Sequence, residues 1–173
     1  MKRYIFLDID GVIAGDNDWG RRIADGSCAF NNGAIRALTR VFDEVPDTEI
    51  VISSTWRKGE TVASLRDIFK LRGFKYYYRI IDKTPVLQIE QQAGIPYSCC
   101  PRGVEIETWI MMNTACVDQY RYCIIDDGSD MMYYQRDNFV HIHHTELFNE
   151  KYALKTIGIL KGTQSVTKFG TFR

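Results

Sequence analysis

The sequence predicts an α/β protein, a three-layer α/β/α sandwich on a mainly parallel sheet of about five strands with helices on both faces. Three observations carry that prediction. Short, almost wholly apolar runs at residues 4–7, 50–52 and 123–125 alternate with segments whose apolar residues recur at helical spacing. Each of those runs stops abruptly in acids or hydroxyls, as strands do where a parallel sheet presents ligands at its carboxyl edge. No repeat, low-complexity tract or linker divides the 173 residues, so 1–160 is expected to be one domain and 161–173 a polar tail.

The elements follow in order. The first strand opens at Tyr4 and runs into Asp8-Ile9-Asp10-Gly11. Residues 13–30, rich in Gly, Asp and Asn, read as a loop or small flap. Asn31-Asn32-Gly33 starts a helix in which Ile35, Leu38, Val41 and Phe42 share a face until Pro46. A second strand covers 49–54 and ends in Ser53 and Ser54. Residues 61–72 form an amphipathic helix with Val62, Leu65, Ile68 and Phe69 inward, stopped by Gly73. A third strand is expected over 75–81, followed by an irregular segment, 82–101, punctuated by Pro85, Gly94, Pro96 and Pro101. Pro101 opens a helix over 102–113 with Ile106, Trp109 and Ile110 inward. A fourth strand, 120–125, is closed by Asp126-Asp127-Gly128. A short helix (130–135), a fifth strand (139–142) and a last helix (about 150–160) complete the pattern.

Composition narrows the function. Lys plus Arg equals Asp plus Glu at 22 each, and a formal net charge of zero argues against a broad basic surface for duplex nucleic acid. A local basic pocket remains compatible with it. No signal-peptide pattern precedes the first strand and no segment has the length of a membrane span, so a cytoplasmic protein without a membrane partner is expected. Five cysteines, an odd number without metal-type C-x-x-C spacing, read as reduced thiols, with Cys123 in the core and Cys99-Cys100 the pair to weigh as reactive.

Three strand ends carry functional groups: Asp8 and Asp10, Ser53 and Ser54, Asp126 and Asp127. In a parallel sheet these ends converge on one crevice. Two carboxylates two positions apart on an extended chain share a side, an arrangement that calls for a cation or a proton between them.

The segments DIDGV, ISSTWR and IIDDGSD resemble, in order and spacing, three signature motifs of the haloacid dehalogenase (HAD) superfamily of phosphohydrolases, over roughly residues 3–145. SSTWR, PRGVEIETWI and IIDDGSDM together resemble a subgroup associated with nucleic-acid repair proteins, polynucleotide 3′-phosphatases among them. The resemblance implies a Rossmann-like, HAD-type sheet without a large cap domain, since 13–30 and 82–101 are short. It makes Asp8 the nucleophile that forms an aspartyl-phosphate and Asp10 the general acid, then base. It implies Mg²⁺ held by Asp8, the backbone carbonyl of Asp10, and Asp126, with Asp127 or alternatively Asp130 supporting the shell. A hydroxyl of Ser54, or else Ser53, would bond the transferring group, and Arg102 would neutralise it, with Arg57 as rival. Ser53, Arg57 and Gly11 are carried as substrate-contacting positions. An open site suits a nucleotide or the phosphorylated end of DNA or RNA. A small phosphorylated metabolite, a phosphoprotein, or a binding module without turnover are the alternatives, and the oligomeric state is left open. His141, His143 and His144 lack further ligands for a metal, though a histidine or Asp137 could border the pocket. Tyr76, Tyr77, Tyr78 and Tyr97 are candidates for stacking on a base, against an ordinary reading as core or rim residues.

Overall fold

A computed structural model describes residues 1–15, 29–87, 100–114 and 119–163. Strands β1 (Lys2–Leu7), β2 (Thr48–Ile52), β3 (Ile80–Lys83), β4 (Tyr120–Asp126) and β5 (Phe139–His141) form one sheet in the order β3-β2-β1-β4-β5, every neighbouring pair parallel. Helices α1 (Asn32–Glu44), α2 (Val62–Leu71), α3 (Arg102–Thr114) and α4 (Glu150–Lys161) cover it.

Alternation along the strands decides which helix lies where. Ile5, Leu7, Ile50, Ile52, Cys123 and Ile125 face the apolar stripes of α1, α2 and α4. Tyr4, Phe6, Val51 and Ile124 face Ile106, Trp109 and Ile110 of α3. Trp109 sets its ring edge-on to Tyr4 and Phe6, at 5.2 and 5.4 Å between centroids. Among the described residues, three helices therefore cover one face and one covers the other. From Tyr4 to Leu7 both faces of β1 are dry, which is why that stretch is continuously apolar rather than alternating. The family-type parallel sheet is thus present, and no cap domain occurs among the described residues.

The helix starts are capped as their sequences suggest. Asn31 accepts from the Gly33 and Ala34 amides at 2.9 and 3.1 Å, and Thr61 and Ser64 form a reciprocal capping box on α2. At the far end, Gly162 closes α4 with a left-handed φ of 72°.

Four expectations need correction. The third strand begins at Ile80, not at 75. Gly73 adopts a φ of 83°, the Phe74 amide returns to the Phe69 carbonyl, and Tyr77–Arg79 then make a 3₁₀ turn. A tyrosine triplet has strand-like composition, but here Tyr76 stacks on Phe42 and its hydroxyl donates to Asp43 at 2.6 Å. The first and second strands end at Leu7 and Ile52, so Asp8, Ser53 and Ser54 stand just beyond them. The short helix expected over 130–135 is a 3₁₀ turn at Tyr133–Asn138. The fifth strand stops at His141. Most of the expected flap and of segment 82–101, together with Cys28, Cys99, Cys116, Tyr97 and residues 164–173, lie outside the described residues. Cys100 and Cys123 are free thiols, and burial pushes the Cys123 thiol up to about 12.

The chain runs outward from β1 through β2 to β3, then returns to the other side of β1 as β4 and β5. That reversal leaves a crevice beyond the carboxyl ends of β1 and β4, the place where such sheets bind ligands. Among the described residues no helix is long and apolar enough to cross a membrane.

Candidate active site

Register brings the acids together. Leu7 pairs with Ile125 and with Ile52, so the next residues, Asp8, Asp126 and Ser53, stand side by side at the sheet edge. The Asp8 amide still donates to the Ile125 carbonyl at 3.0 Å, and the Ser53 amide to the Leu7 carbonyl at 3.0 Å. By alternation Asp8 follows Phe6 and Asp126 follows Ile124 onto the α3 side, and there they meet Arg102, the first residue of α3. Arg102 Nη1 donates to Asp8 Oδ1 at 3.1 Å and to the Ser53 carbonyl, and lies 3.6 Å from Asp126 Oδ2. Residues 8, 102 and 126, far apart in sequence, form one contact group.

Asp127 completes an acidic trio. One carboxylate oxygen from each of Asp8, Asp126 and Asp127 lies within 4.8 Å of the others. Gly11 has a φ of 72°, the left-handed region that favours glycine, and a Cβ there would push the Asp127 carboxylate from its place beside the other two acids. Asp126 Oδ1 accepts from the Gly128 amide at 2.8 Å, while its buried Oδ2 has no hydrogen-bond partner.

The electrostatics follow from that crowding. Burial pushes the Asp8 carboxyl above its ordinary value, while Arg102 and a hydrogen bond from Ser54 pull it back. Burial first, then the charge of Asp8, pushes Asp126 up to about 7 against the pull of Arg102 and the Gly128 amide. The reciprocal effect raises Arg102, because Asp126 and Asp8 outweigh the cost of burying it. Three acids against one guanidinium leave a deficit of positive charge.

Asp10 stands apart from this trio. Its backbone bridges to Ala14, and its Oδ2 accepts from the Trp56 indole at 2.8 Å. Trp56 is itself fixed, with the Arg72 guanidinium over its ring and over that of Phe30. The Ser54 hydroxyl reaches Asp8 and accepts from the Trp56 amide at 3.4 Å. Ser53 contributes its carbonyl, and its buried hydroxyl has no partner. Of the two serines the structure thus turns Ser54 toward Asp8.

Arg57 is not at hand for a substrate. It is buried and bonded to backbone carbonyls and to Glu105, so the expectation of a rival phosphate contact there is corrected. Asp130 also has another task, since its Oδ2 accepts from the Arg102 amide at 2.7 Å and caps α3. Among the described histidines, His141 contacts the Asp127 carbonyl at 3.0 Å and His143 bonds Thr145, and neither joins the acidic trio. His144 lines the crevice. Tyr76 and Tyr77 pack against the core, and Asp137 lies beside Arg136.

Sequence reasoning missed three supporting residues. Glu105 is a buried acid within the inward stripe of α3, and an acid in such a stripe demands a partner. Trp56 belonged to the quoted ISSTWR segment but gave no sign that its indole would hold Asp10. Gln135 bonds the Gly103 carbonyl at 2.9 Å and fixes the start of α3, and nothing in its neighbourhood signalled that.

These acids border a crevice of about 1280 Å³, which runs from Asp8, Asp10 and Asp127 along α1 to residues 144–150. A family profile described as "HAD domain in Swiss Army Knife RNA repair proteins" matches residues 4–153. The chain belongs to that family. No curated protein and no solved structure matches it. The HAD domain's acidic trio fits a hard divalent cation of the Mg²⁺ type: three oxygen ligands converge, positive charge is deficient, and Asp126 Oδ2 is buried without a hydrogen bond.

Proposed function

We propose that this HAD domain is a Mg²⁺-dependent phosphomonoester hydrolase whose substrate is a nucleotide or the phosphorylated end of DNA or RNA. The observation that carries the reading is the convergence of Asp8, Asp126 and Arg102 at adjacent strand ends.

In this reading an Asp8 oxygen bonds to phosphorus as the ester oxygen departs. Asp10 gives its proton to that oxygen, then takes one from the water that attacks the aspartyl-phosphate. Water oxygen joins phosphorus, the bond to Asp8 breaks, and inorganic phosphate leaves. Trp56 keeps Asp10 in place, and Ser54 and Arg102 orient Asp8 and donate to phosphoryl oxygens. Asp8 and Asp126, with Asp127 beside them, would hold Mg²⁺, which when bound offsets the clustered carboxylates and lets a phosphate dianion approach.

Substrate size and charge support the nucleic-acid class. The crevice exceeds the upper end, about 1,000 Å³, of ordinary small-ligand pockets. Within it Arg40 is tied to Glu44 and Glu150, whereas Arg36 is exposed with no acidic partner among the described residues. A guanidinium so placed suits a second phosphate. The family's association with RNA repair points the same way.

The test is turnover, with Mg²⁺ and with chelator, of an aryl phosphate, mononucleotides, 3′- and 5′-phosphorylated oligonucleotides and sugar phosphates. Metal-dependent release favouring an oligonucleotide or nucleotide is expected. Preference for a sugar phosphate would move the substrate to a small metabolite, and no release from any of them would leave a binding module.

A further inference from the structure

Arg57 is 2% exposed, and all five of its N–H donors have an acceptor. Nε serves the Thr84 carbonyl at 3.1 Å, and Nη1 serves the Ser53 and Ser54 carbonyls at 2.8 and 2.9 Å. Nη2 serves the Pro85 carbonyl at 3.3 Å and the Glu105 carboxylate. The other oxygen of Glu105 accepts from the Leu87 amide at 3.1 Å. One buried pair thus clamps three segments: the end of β2, residues 84–87 beyond β3, and the first turn of α3.

Two features connect this clamp to the reaction centre. The Ser53 carbonyl accepts from Arg57 and also from Arg102, so both guanidiniums are referred to one atom. Glu105 lies three residues after Arg102, on the same side of α3. Whatever moves Glu105 relative to β2 therefore moves Arg102 relative to Asp8.

From this geometry we infer that Arg57 and Glu105 are positioning residues, which set Arg102 against Asp8. The inference rests on the phosphatase reading above. Stability alone is a weak reason for such a pair, because well-packed apolar residues often serve a buried site as well or better. Registration of two chain segments is what an apolar pair does not supply. A guanidinium fork fixes distance and angle to several carbonyls at once, and displacement of a reacting group by an ångström is enough to slow a reaction strongly.

A double-mutant cycle tests this, with kcat/KM for an aryl phosphate in Mg²⁺ as readout. The four proteins are the wild type, Glu105→Gln, Arg102→Lys and the double variant. Acting through Arg102, Glu105→Gln lowers kcat/KM by about tenfold or more in the wild-type background but by less than about threefold beside Arg102→Lys. Equal factors in both backgrounds overturn the inference. The paired replacement Arg57→Met with Glu105→Leu separates geometry from folding. A thermal midpoint near that of the wild type with kcat/KM at least about tenfold lower supports positioning, and full activity in that folded variant overturns it. If the paired variant does not fold, the cycle decides alone. Absence of wild-type turnover removes the phosphatase reading itself, whereas turnover with independent factors removes only the positioning role.

Discussion

Arg57 and Arg102 both donate to the Ser53 carbonyl, and their surroundings are opposite in kind. Every N–H of Arg57 has an acceptor and a single acid answers its charge. Burial outweighs Glu105 there and lowers its proton affinity. Arg102 lies among Asp8, Asp126 and Asp130, and their charges raise it. On the Arg57 side nothing further is called for. On the Arg102 side, Asp126 has a buried oxygen without a hydrogen bond and both strand-end acids are pushed upward. The first is a finished piece of structure, whereas the second carries a charge imbalance of the kind that a bound cation would offset. Clusters left electrostatically unbalanced are where function is expected and where stability is sacrificed.

Several substitutions other than that of the nucleophile break or sharpen this contrast, and among them the largest effect concerns Asp10. Asp10→Asn should lower kcat by about 10²–10⁴-fold on a nucleoside phosphate. It should cost less on an aryl phosphate, whose leaving oxygen has little need of a proton. Equal losses on both substrates would remove Asp10 as the acid.

On the finished side, Glu105→Ala should destabilise by roughly 3–5 kcal/mol in a denaturant titration, because a buried guanidinium loses its counter-charge. A change under about 1 kcal/mol would mean that water reaches Arg57.

The unfinished side predicts the reverse sign. Asp126 has a folded-state pKa of about 7 against an ordinary 3.8, so the folded protein binds its proton more tightly than the unfolded chain. That contribution is full below pH 4 and is lost as pH rises through 7. The difference is worth at most roughly 4 kcal/mol. Without divalent cation, the thermal midpoint should therefore fall by about 5–10 °C between pH 5 and 8. Mg²⁺ should flatten the fall. Asp126→Asn should reduce the slope to the part that Asp8 contributes and weaken the response to Mg²⁺, and a slope unchanged in that variant would contradict the assignment.

The smallest effect is expected at Trp56. Trp56→Phe removes the indole donor to Asp10 while keeping the ring, and should cost about 1 kcal/mol of transition-state stabilisation, severalfold in kcat. No change in kcat would mean that Asp10 holds its place unaided.

Much of this was legible in the sequence because sheet physics imposes it. Apolar runs dry on both faces fix parallel strands, and period-two alternation with the strand order puts Asp8, Ser53 and Asp126 at one edge. The motif resemblance led to Arg102 at the start of α3. What was not legible depends on side chains meeting across the fold. Arg57 and Arg102 are the same residue type near the same crevice, and four backbone carbonyls together with Glu105 hold one of them inward. Tyr76 to Tyr78 have strand composition, yet the left-handed Gly73 and a contact to Asp43 make them a turn. Asp130 matched a metal-shell spacing and instead caps a helix. In each case a local pattern was right about chemistry and silent about partner.

The most direct measurement is aryl phosphate turnover by Asp8→Asn beside the wild type in saturating Mg²⁺, with the thermal midpoint of each recorded. Phosphate release is expected to fall by on the order of 10⁴-fold or more while the variant stays folded and no less stable without metal. Release at the wild-type rate from folded Asp8→Asn would contradict the account.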